Sequence, residues 1–201
     1  MVADQSQVSD GVYMTVEQYL ALDEATDAKY EYLDGYVFML RPPSAIYDDN
    51  AIIDMAGGSN AHAALCLRMG SLLDQALTDG PCMAFTSDAR MKLAARQYLY
   101  PDLTVACGEG PGTMLTNPVV IIEVLSPATE KRDRTAKFKA YKALSSVQEY
   151  MLIGSEYQAI EVHRREGNFW RKYHYQSGDL VELTSIGVSF SFDALYRRIP
   201  M

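Results

Sequence analysis

The sequence has no apolar run approaching the roughly 20 residues that a membrane-spanning helix needs. Its start, Met1 to Asp10, is polar and lacks the apolar centre of a secretory signal, so a cytoplasmic location is expected. Cysteine is scarce: Cys66, Cys82 and Cys107 are widely spaced, odd in number, and form no CxxC pair. That spacing argues against a zinc ribbon or a disulfide framework and predicts buried, reduced thiols. Positive charge is also in deficit, with 18 Lys and Arg against 26 Asp and Glu, for a net charge of −8. Such a balance argues against a general nucleic-acid coat, because phosphate binding rewards a basic surface. It leaves room for a nuclease, since a metal-binding site collects carboxylates and contributes negative charge itself. Internal repeats and low-complexity linkers are missing too, which predicts one domain over residues 1–201 with a flexible start over 1–12.

What is present suits a globular chain: 48% hydrophobic and 22% charged residues, enough to build a sizeable core. Thr15 followed three residues later by Gln18 is a capping-box pattern that opens a short helix. Asp34-Gly35 lies between the apolar stretches of Tyr30 to Leu40 and signals a hairpin. Residues 41–59 begin Arg-Pro-Pro, end Gly-Gly-Ser, and read as a loop. A helix follows over Asn60 to Leu77, with a stop at Gly80. Strands are expected as a pair at about 83–86 and 88–94, then near Tyr98 to Ala106 and over Val119 to Leu125. A basic amphipathic helix over 129–145 precedes strands at Glu149–Ile153, Ala159–Arg165 and Phe169–Gln176. The order predicts an α/β or α+β fold, a mixed central sheet flanked by helices. The abundant tyrosine, 14 residues, is expected mainly in the core and on sheet surfaces.

Glu123 is the most informative position. It interrupts Val119-Val120-Ile121-Ile122-Glu123-Val124-Leu125, where an ionised carboxylate carries a large desolvation cost unless something compensates. Alternation along a strand puts Ile121, Glu123 and Leu125 on one face. Pairing with a neighbouring Arg or Lys would suffice structurally; a metal ion is the functional alternative. Asp102, in Tyr100-Pro101-Asp102-Leu103, is a natural second carboxylate. With a backbone carbonyl, the two make an oxygen-rich site suited to Mg²⁺ or Mn²⁺. On the next helix, Asp133, Lys137 and Tyr141 are four apart and share a face. From Lys131 to Lys142 there are six basic residues and one acidic one. That stripe is either a solvated helix face or one turned to phosphates.

These segments together resemble the Uma2 family (DUF820) of restriction-endonuclease-like proteins, within the PD-(D/E)XK nuclease superfamily. The resemblance is carried by Ile122-Glu123-Val124-Leu125-Ser126-Pro127-Ala128-Thr129 with Asp133, Lys137 and Tyr141. Tyr30-Glu31-Tyr32-Leu33-Asp34-Gly35, Met55-Ala56-Gly57-Gly58-Ser59 with His62, and Tyr100-Pro101-Asp102 add to it. It runs in order from about Thr15 to the C-terminus. It implies a restriction-endonuclease-like core with Mg²⁺ or Mn²⁺ at Asp102, Glu123 and the Val124 carbonyl. Leu125 stands where the superfamily's lysine would be, so the resemblance implies that Lys137 on the following helix replaces it. Glu31 looks like an additional acidic residue, and His62 matches a recurrent family position of catalytic or structural use. The stretch Pro42 to Asp54 is longer than the family's usual connection. The activity implied is metal-dependent hydrolysis of nucleic acid, with DNA the expected substrate and a homodimer plausible by analogy. The alternatives are a catalytically inactive nuclease fold that binds protein or nucleic acid, and a hydrolase of another phosphate ester.

Overall fold

The computed structural model describes residues 11–25, 28–41, 59–108 and 112–201. The expected flexible start therefore lies outside the described residues except for Gly11 and Val12, and the loop does so over 42–58, including the whole of the long connection. The chain forms two compact units, Met1–Gly57 with Lys92–Leu99, and Gly58–Met91 with Tyr100–Met201.

In the first unit, β1 (Val12–Tyr13), β2 (Lys29–Leu33), β3 (Tyr36–Arg41) and β6 (Gln97–Leu99) pair antiparallel in the order β1-β3-β2-β6, and α1 (Val16–Ala25) packs on them through Tyr19. The capping box closes reciprocally: the Thr15 amide donates to Gln18 Oε1 at 2.8 Å, and the Gln18 amide to Thr15 Oγ1 at 3.2 Å. Asp34 and Gly35 both take positive φ, 52° and 108°, as a tight turn between right-twisted strands requires. Tyr19 stacks on Tyr32 with centroids 5.0 Å apart, and Tyr98 tilts against Tyr19 at 5.3 Å. All three rings are buried and belong to the core of this unit, whereas Tyr13 is exposed.

The second unit is a mixed α+β body. It contains α2 (Asn60–Ala76), β4 (Cys82–Thr86), β7 (Leu103–Cys107), β8 (Met114–Leu115) and β9 (Pro118–Leu125). A helical stretch follows in three parts: α3 (Glu130–Arg132), a π-helical segment (Asp133–Lys137) and α4 (Phe138–Ala143). Then come β10 (Glu149–Gly154), β11 (Ile160–Glu166), β12 (Phe169–Tyr175), the hairpin β13 (Leu180–Leu183) with β14 (Val188–Ser191), and α5 (Phe192–Tyr196). The central sheet runs β12-β11-β10-β9-β7-β4, antiparallel except for the β9–β10 pair. Parallel neighbours need a long crossover, and here the α3–α4 stretch supplies it, carrying its side chains over one face of β9. Val120, Ile122 and Val124 point to the opposite face and join Leu65, Met69 and Leu73 of α2 in the main core. Helices therefore cover both faces, as expected.

Several expectations are corrected. The strand expected near Tyr98 to Ala106 is two strands, broken at Tyr100-Pro101-Asp102. The pair expected at 83–86 and 88–94 does not form a hairpin. Strand β4 pairs with β7, and β5 (Arg90–Ala94) pairs through its first two residues with β8. Antiparallel register also places Cys82 opposite Cys107, and the two form a disulfide with Cα atoms 3.9 Å apart. The expectation of reduced thiols thus fails for this pair, because a separation of 25 residues reveals nothing about register. Cys66 remains a free thiol. The strands β13 and β14 and helix α5, which close the core under α2, are too short to stand out in the sequence.

His163 on β11 illustrates how burial sets charge here. Its ring packs on Phe138 at 4.4 Å. Burial, only partly offset by Glu161, pushes its pKa down to about 4 from an ordinary 6.5. Between those values the unfolded chain binds a proton that the folded chain refuses, so stability falls as pH drops from about 6.5 through 4. Wild type is expected to lose about 1–2 kcal/mol more than His163→Gln between pH 7 and 4, after allowance for solvent screening. Urea unfolding at both pH values checks this, and equal losses in the two proteins would refute it.

Candidate active site

The residues that sequence reasoning singled out in the second unit meet at the start of β7 and the far end of β9. Pro101 interrupts the chain ahead of β7, leaving Asp102 just outside the ladder, where Leu103 pairs with Ile122. Antiparallel register then sets Asp102 beside Glu123. The two residues interlock: the Asp102 amide donates to Glu123 Oε2 at 3.3 Å, and the Val124 amide donates to Asp102 Oδ2 at 2.8 Å.

Glu123 is 3% exposed, and its other oxygen is held from the crossover helix. Lys137 Nζ and Tyr141 Oη both donate to Glu123 Oε1 at 2.9 Å, and Lys137 lies 3.5 Å from Asp133 Oδ1. Asp133, Lys137 and Tyr141 are all buried, so this stripe is not a solvated face. In a pure α-helix, two successive steps of four residues drift by about 80°. The π-helical segment covers the first step, from Asp133 to Lys137, and its wider turn offsets that drift. Lys137 and Tyr141 are thereby held over Glu123, with Asp133 against the Lys137 ammonium.

The π-helical turn is anchored from both sides. Tyr150 Oη donates to the Asp133 carbonyl at 3.0 Å, and the Arg134 guanidinium pairs with Glu130 at 2.7 Å and Glu161 at 2.9 Å. Burial works against the Arg134 cation, but these partners and Tyr157 outweigh it and raise its pKa.

On the other side of Asp102 stands α2. Ser59 caps this helix, accepting from the His62 amide at 3.2 Å. His62 Nε2 then lies 3.3 Å from Asp102 Oδ2, and Nδ1 lies 3.6 Å from Cys66 Sγ. Burial disfavours the imidazolium, yet the Asp102 carboxylate and Cys66 outweigh it and raise the pKa to about 10. Burial likewise pushes the Cys66 thiol up. Cys66 was not recognised from the sequence, although the His-x₃-Cys spacing on an expected helix was available as a signal. Tyr150, within a buried apolar strand, carried no such signal. Glu31, the remaining candidate, belongs to the first unit, where it is fully buried on β2.

The mixed sheet flanked by helices, with Asp102 just ahead of one strand and Glu123 on its neighbour, is a nuclease-type fold. The fold matches a solved structure from Anabaena variabilis described as a "putative nuclease belonging to DUF820", with a TM-score of 0.69 and 21% identity over 91% of this chain and 97% of that one. Residues 41–194 match the Uma2 family, described as "Putative restriction endonuclease", and the chain belongs to that family. Two relatives come from Synechocystis sp. The uncharacterized protein slr1290 is 32% identical over 92% of this chain and 93% of its own length. The uncharacterized protein sll1609 is 30% identical over 77% and 82%, respectively.

Proposed function

We propose that this protein is a divalent-metal-dependent endonuclease that hydrolyses phosphodiester bonds in nucleic acid, with DNA as its substrate. The observation that carries this reading is the interlocked pair of Asp102 and Glu123 with the buried Lys137 ammonium on Glu123. The family's description as a restriction endonuclease and the description of the Anabaena protein as a nuclease favour the same activity.

The donor set fits a hard cation. Asp102 and Glu123 bring carboxylate oxygens together, and Val124, whose amide already binds Asp102, would add its carbonyl. Mg²⁺ or Mn²⁺ held there would polarise a phosphate oxygen and make water more acidic. Lys137 carries the positive charge that would stabilise the phosphate as negative charge builds on it. Tyr141 and Asp133 fix the position of that ammonium and of Glu123. Cutting both strands of a duplex calls for two such sites, which favours a homodimer.

Calorimetric titration with Mg²⁺ and Mn²⁺ tests the site, using wild type beside an Asp102→Asn/Glu123→Gln variant chosen to preserve shape. Binding by wild type alone, together with Mg²⁺-dependent cleavage of DNA that the variant lacks, is the expected result. Undiminished cleavage by the variant would reject the assignment. No cation binding and no cleavage by folded wild type, with retained binding of nucleic acid or protein, would leave a binding module built on a nuclease fold.

A further inference from the structure

We propose that His62, Cys66 and Asp102 form a second metal site, selective for a thiolate-binding transition ion such as Zn²⁺ and sharing Asp102 with the Mg²⁺ site proposed above. One ligand atom from each residue can be chosen so that all three lie within 4.8 Å of one another. His62 and Cys66 occupy positions i and i+4 near the start of α2, on one face of the helix. That is the spacing at which paired histidines hold zinc on helices. His62 Nδ1 and Cys66 Sγ are 3.6 Å apart. A tetrahedral zinc with Zn–S of about 2.3 Å and Zn–N of about 2.0 Å would separate those atoms by roughly 3.5 Å.

His62 reaches Asp102 and Cys66 through opposite ring nitrogens, so one ion takes one nitrogen and the third ligand turns in by a side-chain rotation. The site is half-buried, which leaves a way in for the ion and room for a water as fourth ligand.

The ligand chemistry separates this site from the carboxylate pair. An imidazole, a thiolate and one carboxylate suit a borderline-soft ion, whereas Mg²⁺ takes oxygen ligands. Glu123 is not in the group whose ligand atoms lie within 4.8 Å of one another. A zinc ion on His62 and Cys66 would draw Asp102 away from Mg²⁺ and so inhibit cleavage. Only that consequence rests on the nuclease reading; the three-residue site does not.

Co²⁺ reports thiolate ligation directly, through a sulfur-to-metal charge-transfer band in the near ultraviolet. The full-length protein should show this band under reducing conditions, and so should a Cys82→Ser/Cys107→Ser variant, which removes the other two sulfurs. Cys66→Ser and Cys66→Ala, checked for folding by circular dichroism, should lose the band and bind Zn²⁺ at least about tenfold more weakly. Glu123→Gln should keep it. No band in wild type, or a band that survives loss of Cys66, overturns the proposal. Both Cys66 variants should retain Mg²⁺ binding and cleavage while losing inhibition by zinc. A cobalt band without any Mg²⁺-dependent cleavage would reject the nuclease reading and leave the transition-metal site standing.

Discussion

Replacing Lys137 with methionine is expected to abolish cleavage and to cost about 3–5 kcal/mol of stability, because it strands buried carboxylates beside an apolar side chain. Lys137 is only 4% exposed and lies between Glu123 at 2.9 Å and Asp133 at 3.5 Å. Removing one partner from a buried ion pair is far more harmful than removing the whole group, since the remaining charges lose their compensation. Stability should therefore return in large part when Glu123→Gln and Asp133→Asn are added. Activity should not return, because the triple variant also lacks the Glu123 carboxylate assigned to the metal; in Lys137→Met alone, where no cation faces the phosphate, the loss should be at least about 100-fold. Urea unfolding and a cleavage assay on the single and triple variants separate the two effects. A Lys137→Met protein within about 1 kcal/mol of wild type would mean that water reaches the cluster and that the site is not dry.

Glu149 should show the opposite pattern: a comparable loss of stability with the metal site intact. It is fully buried at the start of β10. One oxygen accepts from Arg164 Nε at 2.7 Å and the Thr184 amide at 3.1 Å, and the other from the Ser185 amide at 3.0 Å and Ser185 Oγ at 2.5 Å. This carboxylate pins the turn at Thr184–Ile186 to the central sheet and has every oxygen occupied by the protein itself. Glu149→Ala would leave the Arg164 cation and two backbone amides without their acceptor, at a cost of about 3–5 kcal/mol. The folded fraction should still bind Mg²⁺ as wild type does. If Glu149→Ala unfolds at the wild-type urea midpoint, the network is replaceable by water. If it eliminates metal binding in folded protein, the structural and functional carboxylates are not separate systems.

The contrast between Glu123 and Glu149 marks where sequence reading reaches its limit. Both are buried acids on neighbouring parallel strands, but only Glu123 interrupts an unbroken apolar run and so announces a compensating partner. Glu149 begins its strand, where an acidic residue is unremarkable, and its partners are 15 to 36 residues away. Local signals with short reach were legible: the Thr15–Gln18 capping box, the Asp34-Gly35 turn, and the shared face of Asp133, Lys137 and Tyr141. The break at Tyr100-Pro101-Asp102 was less so, although Pro101 was in view, because the flanking apolar residues read as one strand.

By itself, the sequence determined most of the longer strands and helices, that Glu123 needs compensation, and that a basic helix follows it. Those properties depend on residues within a turn or two of each other. Tertiary structure alone decided which partner each group met. Strand register put Asp102 beside Glu123 and Cys82 opposite Cys107, a π-helical turn set Lys137 between Asp133 and Glu123, and helix placement brought His62 and Cys66 to Asp102. Register and crossover geometry are set by the packing of a whole sheet, so no short stretch of sequence encodes them.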